Sequence, residues 1–242
     1  MRDSIIELLI FDWDGTLMDS VGPIVACTRA VIGELGLGSP AEATIRGTVG
    51  LGLRETVDLL VPGCDDQLYE RVRACFRRHW VETYRDLPLL FPGVPDMLGD
   101  LARAGFLLAV ATGKSRRGLE FALDQTGLRG HFQATRTVDE AISKPHPQML
   151  LDILDQLGVR PHAALMVGDS IYDLQMAANA GAHAVAIVSG AHGREELAAH
   201  EPRAVLDRVA ELPAWLAGEQ QLRATGRLTP CVSIRRSGSR GP

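Results

Sequence analysis

Ile5-Ile6-Glu7-Leu8-Leu9-Ile10-Phe11-Asp12-Trp13-Asp14-Gly15-Thr16-Leu17 begins as an apolar run and ends on two carboxylates two residues apart. A short run of this kind, with little polar alternation, reads as a strand buried on both faces of a parallel sheet. In open sheets of that class ligands bind beyond the carboxyl ends of the strands, which is where Asp12 and Asp14 fall. Residues two apart share a face of a regular strand, but past its end Gly15 permits a turn. One side chain and the next backbone carbonyl then converge on a single cation. An Asp-rich turn with glycine also occurs without function, so the motif needs support from elsewhere in the chain.

The rhythm of the first run recurs. Phe106–Ala111, Phe132–Thr135, Ala164–Val167 and Ala182–Val188 read as further strands, and the amphipathic segments Val94–Ala104, Arg116–Thr126, Pro147–Leu157 and Ile171–Ala180 read as the helices between them. This alternation is the pattern of an α/β fold with right-handed crossovers. Between the first two strands, residues 18–90 read as helices (Val21–Gly36, Leu53–Val61, Asp65–Tyr84) without a strand. That stretch is too long for a crossover and reads as an inserted all-helical subdomain. Pro88, Pro92, Gly93 and Pro95 punctuate the return to the sheet. The expected division is therefore 1–17 with 91–216 as the α/β body, 18–90 as the helical insert and 217–242 as a tail.

Composition excludes several classes. With 242 residues, 46% hydrophobic and 23% charged, the chain matches ordinary globular usage rather than a disordered, collagen-like or membrane protein. The net charge of −5 conceals an asymmetry: residues 217–242 carry five arginines against Glu219, so the body is more acidic than the total. An acidic body argues against nucleic-acid binding, which requires a basic surface. The basic tail, rich in Gly, Ser, Thr and Pro, reads as a disordered end. Cys27, Cys64, Cys75 and Cys231 show neither CxxC spacing nor a dense framework, so neither a zinc site nor a disulfide scaffold is expected. The first apolar run is too short and too acidic for a signal peptide, and no stretch approaches the ~20 apolar residues of a membrane span. A cytoplasmic location without a membrane partner is expected; oligomeric state is left open.

Three more motifs follow strand ends. Ala111-Thr112-Gly113-Lys114-Ser115 opens a helix, where a hydroxyl and free backbone N–H groups form an anion site. It is not a P-loop, because the required first glycine falls on Leu108. Thr112 or Ser115 as a plain helix cap is the alternative. Ser143-Lys144-Pro145 precedes the helix near Pro147. The chain has only two lysines, Lys114 and Lys144, against 23 arginines, and both fall in these motifs. A compact ammonium suits a phosphoryl centre as a point charge. Last comes Val167-Gly168-Asp169-Ser170-Ile171-Tyr172-Asp173, whose two acids share a face if a helix starts at once. They would repel without a cation between them, and N-terminal capping is the alternative reading.

The ordered set of DxDG, small hydroxyl residue, Lys-Pro and GDxxxD resembles the haloacid dehalogenase-like hydrolase superfamily, specifically its phosphoglycolate-phosphatase-like branch, over residues 5 to about 216. The resemblance implies a Rossmann-like parallel sheet, a helical cap after the first motif, and a Mg²⁺-dependent phosphatase that works through an aspartyl-phosphate on a small phosphorylated metabolite. It implies Asp12 as nucleophile and metal ligand, and Asp14 as general acid and then base, with its carbonyl on the metal. Asp169 is then a direct metal ligand and Asp173 the acid behind it. Thr112 and the Gly113 amide would hold the phosphoryl oxygens, Lys144 would neutralise charge between Asp12 and phosphate, and Thr16 would buttress the loop.

Specificity in this family resides in the cap. The stretch Arg46-Gly47-Thr48-Val49-Gly50-Leu51-Gly52-Leu53-Arg54-Glu55 is a glycine-rich turn entering a helix, and its Gly-Leu-Gly resembles the phosphoglycolate phosphatase pattern. Arg46 or Arg54 is expected to meet a substrate carboxylate or phosphate, with a solvated arginine as the alternative. Asp19 and Ser20 are expected to cap the first cap helix. Within the superfamily, a dehalogenase would not need Asp14, and a phosphonoacetaldehyde hydrolase would need a cap lysine that residues 18–90 lack. A sugar phosphomutase and a pyrophosphatase or nucleotidase remain as alternatives on the same core. A non-catalytic binding module is the alternative of another class, and it would have lost one of Asp12, Asp14, Lys144 and Asp169, all of which are present.

Overall fold

A computed structural model describes residues 5–87 and 89–224; Pro88 and residues 225–242, with Cys231 and most of the basic tail, lie outside the described residues. The strands are β1 (Leu8–Phe11), β2 (Leu107–Thr112), β3 (Ala134–Thr137), β4 (Ala164–Gly168), β5 (His183–Ile187) and β6 (Ala204–Leu206). The helices are α1 (Val21–Leu35), α2 (Glu42–Arg46), α3 (Leu53–Leu60), α4 (Asp66–Thr83), α5 (Val94–Arg103), α6 (Arg116–Thr126), α7 (Gln148–Leu157), α8 (Ile171–Ala180), α9 (Arg194–Ala198) and α10 (Leu212–Ala224). All strands run parallel in one sheet of order β3-β2-β1-β4-β5-β6. The register sets Phe11 between Val110 and Val167, so the first motif leaves the centre of the sheet.

Alternation along β1 explains why its residues are apolar throughout. Leu9 and Phe11 face one layer, with Leu98 and Leu101 of α5, Leu119 of α6 and Leu212 of α10. Leu8 and Ile10 face the other, with Met149 and Ile153 of α7 and Met176 and Ala177 of α8. All four strand residues are fully buried. Burial of each such side chain contributes roughly 1.5–3 kcal/mol, so β1 anchors the motif that follows it on a rigid base.

Helices α1–α4 lie between β1 and α5, as the sequence rhythm predicts, and have a core of their own around Val31, Val57, Val72 and Cys75. A second cluster, Val21, Val25, Ile45 and Val49, closes over Ala191 from the loop after β5. The chain enters and leaves this helical insert side by side. Asp19 N–H donates to the Leu89 carbonyl at 2.6 Å and Phe91 N–H to the Leu17 carbonyl at 3.1 Å.

The structure departs from the sequence expectations at four elements. β6, α2 and α9 were not anticipated, being elements of three to five residues. The tail does not begin at 217: α10 continues to Ala224, its first turns anchored by the buried Leu212 and Leu216 in the α5 and α6 layer. No helix among the described residues is long and apolar enough to cross a membrane.

Candidate active site

The strand order reverses at β1, whose neighbours β2 and β4 lead away in opposite directions, and a crevice forms at such a point beyond the strand ends. Trp13 holds the first loop down. Its ring is fully buried, Nε1–H meets Met18 Sδ at 3.2 Å, and the ring edge packs against Phe132. Gly15 turns the chain with φ +84°, and a Cβ there would collide with the Asp169 carboxylate. Glycine is therefore required twice over, by backbone conformation and by close approach.

Asp12 lies in the crevice with Oδ1 accepting the Trp13 N–H at 2.7 Å and pairing with Lys144 Nζ at 2.8 Å. Lys144 also reaches Asp173 Oδ1 at 2.7 Å, and its side chain is entirely buried. Asp173 Oδ2 accepts from Ser170 N–H and Ser170 Oγ–H, completing a capping box on α8. The two readings of Asp173, helix cap and partner of a cation, thus hold together, one oxygen for each. Asp169 Oδ1 accepts from Thr16 Oγ1 at 2.7 Å and Oδ2 from Ala191 N–H at 2.8 Å, which ties the first motif to the fourth.

Carboxylate oxygens of Asp12, Asp169 and Asp173 lie within 4.8 Å of one another, and all three residues are buried. Burial pushes the Asp12 carboxyl well above the usual range; Lys144 pulls it back, and the charges of Asp173 and Asp169 add to the rise. Burial, and then the Asp173 charge, lifts Asp169 to about 7. Burial opposes the Lys144 charge, but Asp12 and Asp173 outweigh it and hold the ammonium above its ordinary range. Three buried carboxylates face one ammonium, and Asp12 Oδ2 has no hydrogen-bond partner. An all-oxygen set with two surplus negative charges fits a hard divalent cation. Glu34, Cys75 and His79 of the insert also lie together, but there Arg78 already contacts both Glu34 oxygens and Cys75 Sγ.

Asp14 Oδ1 accepts from Ser20 Oγ at 2.5 Å and pairs with Lys114 Nζ at 2.8 Å. The same ammonium stands 5.3 Å from the centre of the Trp80 ring on α4. Thr112 is buried, and its Oγ1 accepts the Lys114 N–H at 3.2 Å. Ser115, not Thr112, caps α6, accepting from Gly118 N–H. The glycine-rich stretch of the insert lies across the strand ends: Gly52 N–H donates to Ser143 Oγ at 3.0 Å and Tyr172 O–H to the Gly47 carbonyl at 2.9 Å. A Cβ at Gly113 would strike the Leu51 carbonyl. The side chain of Arg46, a half-buried residue at the start of this stretch, makes no hydrogen bond or ion pair among the described residues.

Two expectations are corrected. Arg54 is not gathered with the others: its guanidinium pairs with Asp58 at 3.1 Å and Asp66 at 2.7 Å and lies over Tyr69, because the insert supplies acids one helical turn away and at the start of α4. Ser20 occupies the N-cap position of α1 but makes no capping bond, since Asp14 takes its hydroxyl; Asp19 is exposed and caps nothing either. Ser20 and Ser143 are site neighbours to which sequence reasoning gave no role in the site, and Lys114 was marked only by residue type, without a partner. For Lys114 the signal was present, as one of two lysines in a chain of arginines.

A family model described as haloacid dehalogenase-like hydrolase matches residues 9–187. The chain belongs to this family of hydrolases. Among curated relatives of this hydrolase, the Dickeya dadantii protein named Probable phosphatase IndB is 35% identical, covering 85% of this chain and 91% of its own. A phosphoglycolate phosphatase of Vibrio vulnificus is 31% identical, covering 88% of this chain and 96% of its own. Among solved structures, a hydrolase from Pseudomonas syringae superposes with a TM-score of 0.80 at 23% identity, over 88% of this chain and 98% of that one. The haloacid dehalogenase-like hydrolase thus shares its fold with an experimentally solved protein and its sequence with phosphatases.

Proposed function

We propose that this hydrolase is a Mg²⁺-dependent phosphatase that hydrolyses a small phosphomonoester of the phosphoglycolate kind through an aspartyl-phosphate. The observation that carries this reading is the buried trio Asp12, Asp169 and Asp173 around Lys144, with one Asp12 oxygen unpartnered. In the same reading residues 1–17 and 91–216 are the catalytic body, with the start of α10 as its end, and residues 18–90 are a cap.

Asp12, the Asp14 backbone carbonyl and Asp169 would hold the cation, with Asp173 behind them, where it holds Lys144 through Oδ1 and Ser170 through Oδ2. When bound, the cation supplies charge neutralisation and alignment of the phosphoryl oxygens. Asp12 attacks phosphorus, forming an oxygen–phosphorus bond as the ester oxygen departs. Asp14 gives its proton to that oxygen, and in its ionised form takes a proton from the water that next attacks phosphorus. Water's attack frees Asp12 and releases inorganic phosphate. Lys144 stays paired to Asp12 throughout and screens its approach to the phosphoryl group. Thr112 Oγ1 already accepts from Lys114 N–H, so its own O–H is left to donate to a phosphoryl oxygen, beside the Gly113 N–H. Arg46, without a partner near the strand ends, is the cap cation proposed to meet the substrate.

The test is phosphate release from 2-phosphoglycolate, sugar phosphates, nucleotides and pyrophosphate, with and without Mg²⁺. One monoester is expected to dominate, with EDTA and Asp12→Asn each removing its turnover. Folded protein that releases no phosphate from any of them with Mg²⁺ present refutes the reading.

A further inference from the structure

Lys114 sits where three parts of the chain meet: the Asp14 loop, the strand end of β2 and α4 of the insert. Its side chain is 15% exposed and makes one ion pair, to Asp14 Oδ1 at 2.8 Å. An ammonium carries three donors, so a ligand oxygen can be added without breaking that pair. Two other cations, one in the site and one on the insert, are less available. Lys144 is sealed between Asp12 and Asp173, and Arg54 is held by Asp58 and Asp66.

We propose that Lys114, backed by Trp80, is the subsite for the leaving group, and that it selects phosphomonoesters carrying a carboxylate next to the ester oxygen. This deepens the phosphatase reading and rests on it, through the role of Asp14 as the proton donor to that oxygen. A proton donor stands about 2.6–3.2 Å from its acceptor. With Nζ 2.8 Å from Asp14 Oδ1, a leaving oxygen that takes its proton from Oδ1 lies no more than about 6 Å from the ammonium. A carboxylate one carbon beyond the ester oxygen spans that gap and accepts a charge-assisted hydrogen bond. An uncharged two-carbon group of the same length does not. The Trp80 ring, centred 5.3 Å from the ammonium, occupies space beside it and leaves less room for longer groups.

The experiment measures kcat/KM for 2-phosphoglycolate and for ethyl phosphate in the full chain with Mg²⁺, in the parent and in Lys114→Met, Lys114→Gln, Lys114→Arg and Arg46→Met. The expected result is a ratio of the two values that falls at least 30-fold in Lys114→Met and Lys114→Gln, chiefly through KM for 2-phosphoglycolate, and recovers in part in Lys114→Arg. Trp80→Leu is expected to lower the ratio about three- to tenfold. A ratio within threefold of the parent in both lysine variants, with both rates reduced alike, overturns the subsite, since Lys114 would then act on Asp14 alone. A collapse of the ratio in Arg46→Met but not in the lysine variants also overturns it. If the folded parent hydrolyses neither ester the subsite is overturned, and the phosphatase reading falls with it only if the sugar phosphates, nucleotides and pyrophosphate of the wider panel also release no phosphate. Circular dichroism of each variant establishes that the comparison is between folded proteins.

Discussion

Asp12→Asn should make the metal-free protein more stable while removing its activity. At pH 8 three buried carboxylates share one ammonium, and the strain is visible in Asp169, whose pKa is lifted from 3.8 to about 7 by burial and by Asp173. A shift of that size corresponds to about 4 kcal/mol, at ~1.4 kcal/mol per unit, first from burying the charge and then from the Asp173 charge beside it. Asparagine is an isostere whose Oδ1 keeps the Trp13 N–H, whose Nδ2 replaces the oxygen that has no partner, and which leaves Lys144 paired with Asp173. Burial and the charges of Asp173 and Asp169 hold the Asp12 carboxyl well above the usual range, so removing its charge should stabilise the metal-free protein by on the order of 2 kcal/mol and raise Tm by roughly 4–8 °C in a chain of this size. The sign with pH follows from linkage. A carboxyl whose folded pKa lies above its unfolded value is protonated first in the folded state, so its penalty grows as pH rises through 4 towards 7 and is complete above 7. The advantage of Asp12→Asn should therefore be largest at pH 8 and shrink at pH 5. Saturating Mg²⁺ should reverse the order, because the parent binds it more tightly. Thermal denaturation in EDTA at both pH values is the assay. A variant no more stable than the parent at pH 8, or one with the same advantage at pH 5, refutes the argument.

Lys144→Met leaves Asp12 and Asp173 without their counter-ion and should cost about 3–5 kcal/mol of stability at pH 8 as well as activity, checked by denaturant titration and phosphate release. Ser20→Ala should lower kcat several-fold yet leave Tm within about 1 °C, because its hydroxyl serves Asp14 rather than the α1 terminus; Asp65→Ala, which removes the true cap of α4, should show the opposite, losing about 1 kcal/mol with activity kept. Gly113→Ala drives a methyl into the Leu51 carbonyl and should raise KM and destabilise the protein by about 1–3 kcal/mol, read from steady-state kinetics and thermal melts.

The five longer strands and the helices that alternate with them were legible because each buries whole faces, and burial writes itself into apolar periodicity. Arg116–Thr126 and Ile171–Ala180 agree with the structure to the residue, since Ser115 and Ser170 mark their starts. β6 escaped because Ala204–Leu206 is short and half-buried at the sheet edge. Asp12, Asp14, Lys144, Asp169 and Asp173 were legible as candidates from residue type at strand ends. What could not be read was which long side chain reaches which partner. Arg54 and Lys114 look alike in a sequence, yet one is consumed by Asp58 and Asp66 and the other lies on Asp14, a difference set by helix phase and by contacts across a hundred residues. Ser20 fits every rule for a helix cap, and only the fold places Asp14 near enough to take its hydroxyl.

The paired crossings at Leu17–Asp19 and Leu89–Phe91 have a consequence for how such a chain diversifies. Because the insert departs and returns within one hydrogen bond's reach, it can be exchanged for another segment with adjacent ends without rethreading a single strand. Selection can then rework what lies above the strand ends by recombination of a whole block, while the register of β1 with β2 and β4, and the aspartates it carries, is inherited untouched.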